Sequence, residues 1–307
     1  MKRAVSISIG SAKRDKVVDV RLFGELVRLE RIGTDGDLEK AAQLFRALDG
    51  KVDALGVGGG LLGVMVGECW YPMHSLLPLV SNVHQTPLVD GTGLKMTLER
   101  RAVREVERRI GSRIRDKRAL IMSAVDRWGM VQGALDAGYQ CTFGDLIYSI
   151  GFNIPIRDPR SIHWMARLLL PLFSRMPFRW VYPVGNSQEK RKPTAVEYFE
   201  QAGVILGDCH YIWRYMPERM YGKVIITNTT TTEDIAMFRA GGVHYLATTT
   251  PVYEGRSFGT NLMEAAILAA TGRCDPVDYA HPNGYFQWIE ERLDELCLNV
   301  QIQELNP

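Results

Sequence analysis

The chain has 307 residues, 46% of them hydrophobic and 23% charged, which is a globular composition rather than a disordered one. Its 37 Lys and Arg stand against 35 Asp and Glu, and a net charge of +2 argues against a dedicated nucleic-acid binder. No run approaches the ~20 apolar residues of a membrane span, the N-terminus lacks the apolar core of a secretory signal, and the five scattered cysteines include no CxxC. A cytoplasmic protein of about two domains, at ~150 residues each, is expected.

Apolar runs alternate with helical patterns, which predicts an α/β protein with largely parallel sheets. Residues 4–9 and 26–32 alternate with period two and predict strands. Asp35 or Asp37 caps a helix with Leu38, Ala41, Ala42, Phe45 and Leu48 on one face, and Gly50 stops it. Residues 52–57 predict the next strand. The GxGxxG at Gly58, Gly60 and Gly63 is discounted, because the following GVMVGECWYPM alternates and turns at Gly67-Glu68 like a hairpin. TPLVDGTGLK predicts a strand, a loop and a helix over about 94–110.

Residues 99–118 hold nine Lys or Arg against four acids and read as the solvated face of a helix burying Val103, Val106 and Ile110. The domain boundary is set near 115, giving an N-terminal α/β substrate domain (1–115) and a Rossmann-like doubly wound domain (116–275), with a cleft between them. A C-terminal helix (276–307) is expected to pack back on the first domain. Residues 119–123, 140–144, 203–207, 223–227 and 243–248 read as strands of the second domain, with a helix at about 128–138. The apolar stretch 161–183 carries Arg167, Arg175 and Arg179, which forbid a span. A helix packed between domains is preferred there over an interfacial helix or a lid.

Four groups of residues point to chemistry. The strand ending at Ser123 runs through Asp126, Arg127 and Gly129 into a helix, and Asp145 follows the next strand, 22 residues beyond Ser123. That layout suits a dinucleotide, with the pyrophosphate at the helix N-terminus and the acid on the ribose. An acid there favours NAD over NADP. Only one glycine, Gly129, replaces the usual three, and a nucleotide-free scaffold remains the alternative. Second, Thr227, Asn228 and Thr229 end a strand, and TTTP with Arg256 ends another, giving more hydroxyls than capping needs. Third, Asp208 and His210 end a further strand, where His210 suits acid–base work oriented by Asp208, although a lone His is more often structural. Fourth, Lys95 opens a helix after LVDGTG and suits either proton transfer to a substrate oxygen or anion holding. No His/Cys pair has metal-ligand spacing, so no metal is expected.

The segments VDALGVGG, VDGTGLKMTLERRAV, SAVDRWGM, FGDLIYSIG, GDCHYIWRYMPERM, ITNTTTTEDI and TTTPVYEGRSFGTNLMEA resemble bacterial proteins labelled quinate 5-dehydrogenase or shikimate dehydrogenase-like. The resemblance spans most of the chain. It implies an N-terminal substrate domain and a nicotinamide-binding domain, with hydride transfer to or from a small hydroxylated carboxylic acid. It implies a catalytic lysine at Lys95, without the family's Asn, Thr and Pro before it. It also implies a partner aspartate in D-x-x-G at Asp126–Gly129, with Asp90 as the alternative. A non-redox nucleotide- or phosphometabolite-binding protein, or a transferase, is the competing reading. The expected partner is a small molecule, without nucleic acid; a homodimer stays open.

Overall fold

The computed structural model describes residues 1–177, 191–253, 256–282, 284–298 and 300–307. The first elements are β1 (Lys2–Ser8), β2 (Lys16–Leu22), β3 (Glu25–Gly33), α1 (Leu38–Leu48), β4 (Ala54–Gly58), β5 (Gly63–Val66), β6 (Cys69–Pro72), α2 (Leu77–Val80) and β7 (Leu88–Val89). There follow α3 (Thr92–Met96), α4 (Leu98–Ile110), β8 (Arg118–Ile121), α5 (Trp128–Asp136), β9 (Gln140–Phe143), a π-helical turn (Asp145–Ile150), α6 (Pro159–Phe173) and α7 (Val196–Gln201). The chain closes with β10 (Val204–Leu206), α8 (Cys209–Tyr215), β11 (Val224–Thr227), α9 (Thr232–Ala240), β12 (Tyr245–Thr248), β13 (Val252–Tyr253), β14 (Arg256–Ser257), α10 (Thr260–Thr271), α11 (Tyr285–Glu295) and β15 (Gln301–Glu304). The protein is therefore α/β. Among the described residues no helix is long and apolar enough to cross a membrane.

The chain divides into two units. One is Met1–Leu94 with Arg167–Gln188 and Gly259–Cys297; the other is Lys95–Ala166 with Glu189–Phe258 and Leu298–Pro307. The first unit's sheet has the order β2-β3-β1-β4-β7, parallel except for β2 against β3. Although residues 4–9 alternate between apolar and polar side chains, both faces of β1 are buried. Val5, Ile7 and Ile9 pack with Ala41 and Phe45 of α1 and with Leu76 and Leu79. On the other face, Ser6 accepts a hydrogen bond from the Asn261 amide of α10, and a Cβ on Gly56 would lie 2.9 Å from the Asn261 carbonyl oxygen. Small residues there let α10 lie directly on the strands. The hairpin at Gly67-Glu68 forms as expected, Val66 pairing with Cys69.

The second unit's sheet has the order β15-β12-β11-β10-β8-β9, parallel except for β15 against β12. Counted from β8, the five parallel strands run 2-1-3-4-5. This is a doubly wound order, but the third strand pairs with the first, where a Rossmann half would put it beyond the second. The topological switch point lies between β8 and β10.

The division falls at Leu94/Lys95 rather than at 115, because α4 packs on α5 in the second unit. A Cβ on Gly133 would lie 2.6 Å from the Arg100 carbonyl oxygen and 3.0 Å from Val103 Cβ. Several basic residues of this region are paired, Arg100 with Asp136, Arg108 with Glu105, Lys117 with Glu107 and Arg118 with Asp116. The single helix predicted over 94–110 is instead two, broken at Thr97. The last residues also divide. Gly259–Cys297, with α10 and α11, counts with the first unit, and β15 completes the second unit's sheet at the β12 edge. Residues 178–183 of the apolar stretch lie outside the described residues.

Gly129 opens the α5 contact, where an added Cβ would stand 1.9 Å from the Lys95 carbonyl oxygen. In an unhindered helix Gly→Ala gains roughly 0.5–1 kcal/mol. Gly129→Ala is expected to reverse that sign and lose about 1–3 kcal/mol through overpacking, read from the urea midpoint.

Candidate functional site

In the second unit, the carboxyl ends of β8, β10 and β11 gather the charged residues that the sequence singled out. Asp126 follows β8, and its Oδ1 accepts a hydrogen bond from Lys95 Nζ at 2.7 Å. Arg127, next in the chain, is buried. Its guanidinium pairs with Glu99 of α4, with Asp126 Oδ2 at 3.2 Å and with Asp208 Oδ2 at 3.3 Å. Asp208 follows β10 and caps α8 by accepting from the His210 backbone N–H at 3.0 Å. Its carboxylate also meets the Asn228 side chain and the His210 charge. One connected network thus holds Lys95, Asp126, Arg127, Asp208, His210 and Asn228 across the switch point, where open α/β sheets bind ligands.

The electrostatics follow from burial and pairing. Burial would raise the Asp126 carboxyl, but Lys95 and Arg127 outweigh it and hold it down at about 2. Burial likewise works against ionised Asp208, and His210 and Arg127 overcome it. At Glu99, which is fully buried, burial prevails and raises the carboxyl against Arg127 and Lys95. Side-chain exposure is 34% at Asp126 and 36% at Asp208 against 10% at Lys95, so these two aspartates are the accessible part of the network.

Three residues assigned to a dinucleotide have other work. Asp145 is buried and turned onto its own loop. It accepts from the N–H groups of Ala124 (2.9 Å) and Val125 (3.0 Å) and from Ser123 Oγ (3.4 Å). It is therefore spent on bracing the loop rather than open to a ribose, and Ser123 with it. Burial pushes its carboxyl up to about 6. Gly129 serves the contact with the Lys95 backbone rather than close approach of a phosphate. Those amides, that glycine and the negative charge of Asp126 do not fit a pyrophosphate at this loop.

The threonine-rich ends are mostly used internally. Thr227 Oγ1 donates to Asn228 Oδ1 at 3.3 Å, and Thr250 Oγ1 donates to the Asn228 carbonyl at 2.7 Å. Thr231 forms a capping box with Asp234, and the Thr230 N–H donates to Ser257 Oγ at 2.8 Å. Thr229 is half-buried. The hydroxyls of Thr248 and Thr249 are buried without a hydrogen-bond partner among the described residues. The Arg256 side chain lies outside the described residues.

In the first unit the Asp90 carboxylate accepts from the N–H groups of Leu62 (2.8 Å) and Thr92 (3.0 Å); Lys95 pairs with Asp126, one of the two aspartates weighed for it. Sequence reasoning missed Glu99 and Glu264. Glu99 shares the face of Ala102, Val103 and Val106, a spacing that marked it as inward. Glu264 sits in the apolar run NLMEAAILAA. It accepts from the hydroxyls of Tyr279 (2.7 Å) and Tyr285 (2.8 Å) and from the Leu94 N–H (3.1 Å).

Burial raises the Glu264 carboxyl from 4.5 to about 7, against the pull of those tyrosines. Between about pH 4.5 and 7 the folded chain holds a proton that the unfolded chain releases, so stability falls as pH rises through that window. Asp145 acts in the same sense only up to about pH 6. The urea midpoint is expected to fall between about pH 5 and 7, and Glu264→Gln should flatten the part above about pH 6. An unchanged slope in that variant would remove Glu264 as its source.

No curated protein sequence matches the chain. Solved structures similar to it include the following three. One is described as a malic enzyme (malate oxidoreductase), at 11% identity and TM-score 0.37, covering 85% of this chain, which spans 66% of that one. Another is a Mycobacterium smegmatis protein in complex with β-D-fucofuranose, at 12% identity and TM-score 0.33, covering 98% of this chain and 99% of that one. The third is GanP, a glucose-galactose binding protein from Geobacillus stearothermophilus, at 10% identity and TM-score 0.36, covering 99% and 97%. Likenesses at these scores carry no argument about fold or function. Two family profiles match, each described as a domain of unknown function, DUF8753 over residues 3–90 and DUF8754 over residues 93–305. The second contains the whole charged network, and the chain belongs to the DUF8754 family.

Proposed function

We propose that the second unit carries an acid–base site for a small hydroxylated carboxylic acid of the quinate or shikimate type. The observation that carries this reading is the Lys95–Asp126 pair, with Nζ and Oδ1 at 2.7 Å. The Lys95 ammonium exchanges a proton with a substrate oxygen. Asp126 fixes the ammonium, and Arg127 fixes Asp126 from behind. His210, half-buried beside Asp208, is the second proton-handling group. Three carboxylates around two cations favour hydroxyl groups over phosphate at this spot. The paired charges of the α4 region support a small molecule rather than nucleic acid as the ligand.

Oxidation of such a hydroxyl needs a hydride acceptor, and NAD or NADP supplies that chemistry when bound. The loop after β8 does not fit its pyrophosphate. The same observation, Asp145 holding the Ala124 and Val125 N–H groups, favours a second reading, a non-redox transferase or binding protein using the same residues.

A thermal-shift comparison of quinate, shikimate, NAD and NADP tests both. A ligand at ~100 times its Kd adds about 2.7 kcal/mol, a shift of a few degrees. Quinate or shikimate is expected to stabilise the native chain and not Lys95→Met. A dinucleotide shift, with reduced nicotinamide formed on adding the acid, selects the dehydrogenase. An acid shift without one selects the non-redox reading. Failure of both acids to shift the midpoint contradicts the proposal.

A further inference from the structure

We propose that the outward face of α6 docks on an anionic membrane surface. At about 100° per residue, Arg160, Trp164, Arg167, Leu168 and Leu172 share one side of the helix, and Ile162, Ala166, Leu169 and Phe173 share the other. Burial follows that division. Ile162 and Ala166 are 0% and 1% exposed, whereas Trp164, Leu168 and Leu172 are 71%, 77% and 66% exposed. Single exposed apolar side chains are ordinary, but three large ones at i, i+4 and i+8 make a continuous stripe.

The charge beside the stripe identifies the occupant. No Asp or Glu occurs from Pro159 to Pro177, while Arg160, Arg167 and Arg175 are exposed. Tryptophan and leucine flanked by guanidinium groups match the boundary between acyl chains and anionic headgroups. A second copy fits less well. Pairing this face with itself about a two-fold axis would set arginine against arginine, with no acid on the helix to neutralise either. Since no helix among the described residues is long and apolar enough to span, the contact lies on the membrane rather than through it.

The test is sedimentation of the full chain with vesicles of phosphatidylcholine alone and of phosphatidylcholine mixed with phosphatidylglycerol. Binding to the mixed vesicles is expected to be at least about tenfold stronger and to weaken with added salt. The double variant Trp164→Ser, Leu168→Ser should lose at least about tenfold with unchanged circular dichroism, because both side chains are exposed. Equal retention on the two vesicle types, retention on neither, or an unaffected variant would overturn the proposal. So would a dimer, seen by light scattering, that this double variant dissociates, since a second copy would then be the occupant.

Discussion

The Arg127 guanidinium meets three carboxylates supplied by three separate parts of the second unit, Glu99 from α4, Asp126 from the loop after β8 and Asp208 from the loop after β10. Burying a guanidinium is strongly unfavourable unless it is paired, and these three carboxylates pair it, although Nε makes no hydrogen bond among the described residues. Loss of the guanidinium would leave the fully buried Glu99 without its partner, a change of the kind that costs about 3–5 kcal/mol. The arrangement of the site depends on this ion. It presents Asp126 to Lys95, and it holds Asp208 beside His210 and Asn228.

A second constraint shapes the loop between β8 and α5. Its backbone N–H groups close onto Asp145, and the helix that follows starts flush against the Lys95 backbone because position 129 has no side chain. Both features make a rigid platform. They also occupy two of the loop's donors and the open space that an anion would need there. The platform is suited to holding Lys95 and Asp126 in register for a neutral oxygen, which links the packing of α4 and α5 directly to the proposed chemistry.

Much of the architecture was legible because it rests on local patterns. Period-two runs and capping residues located β1, β3, α1, β8 and the β5–β6 hairpin to within a few residues. Strand order was not legible, since pairing β10 with β8 is a long-range choice that no local pattern encodes. Within the site, Lys95 was singled out from its place after a strand, while Asp126 and Asp90 were offered as its partner only by the family resemblance, and it is Asp126 that pairs with it. The spacing from Ser123 to Asp145 was real, but a carboxylate 22 residues on can reach back to its own loop as well as out to a ribose. Glu99 was masked by the basic residues around it, though its register with Val103 and Val106 pointed inward. Two glycines of GxGxxG answered to packing, Gly58 beneath the Asn261 amide and Gly63 against the Trp70 ring.

Lys95 and Arg127 together keep Asp126 ionised far below its ordinary range. Carbon-13 NMR of the aspartate carboxyls, assigned by comparison with Asp126→Asn, reads this directly. At about pH 4, where an ordinary aspartate is roughly half protonated, Asp126 should remain almost wholly ionised. In Lys95→Met its midpoint should rise towards that ordinary value. An Asp126 signal that titrates near 4 in the native chain would contradict the account.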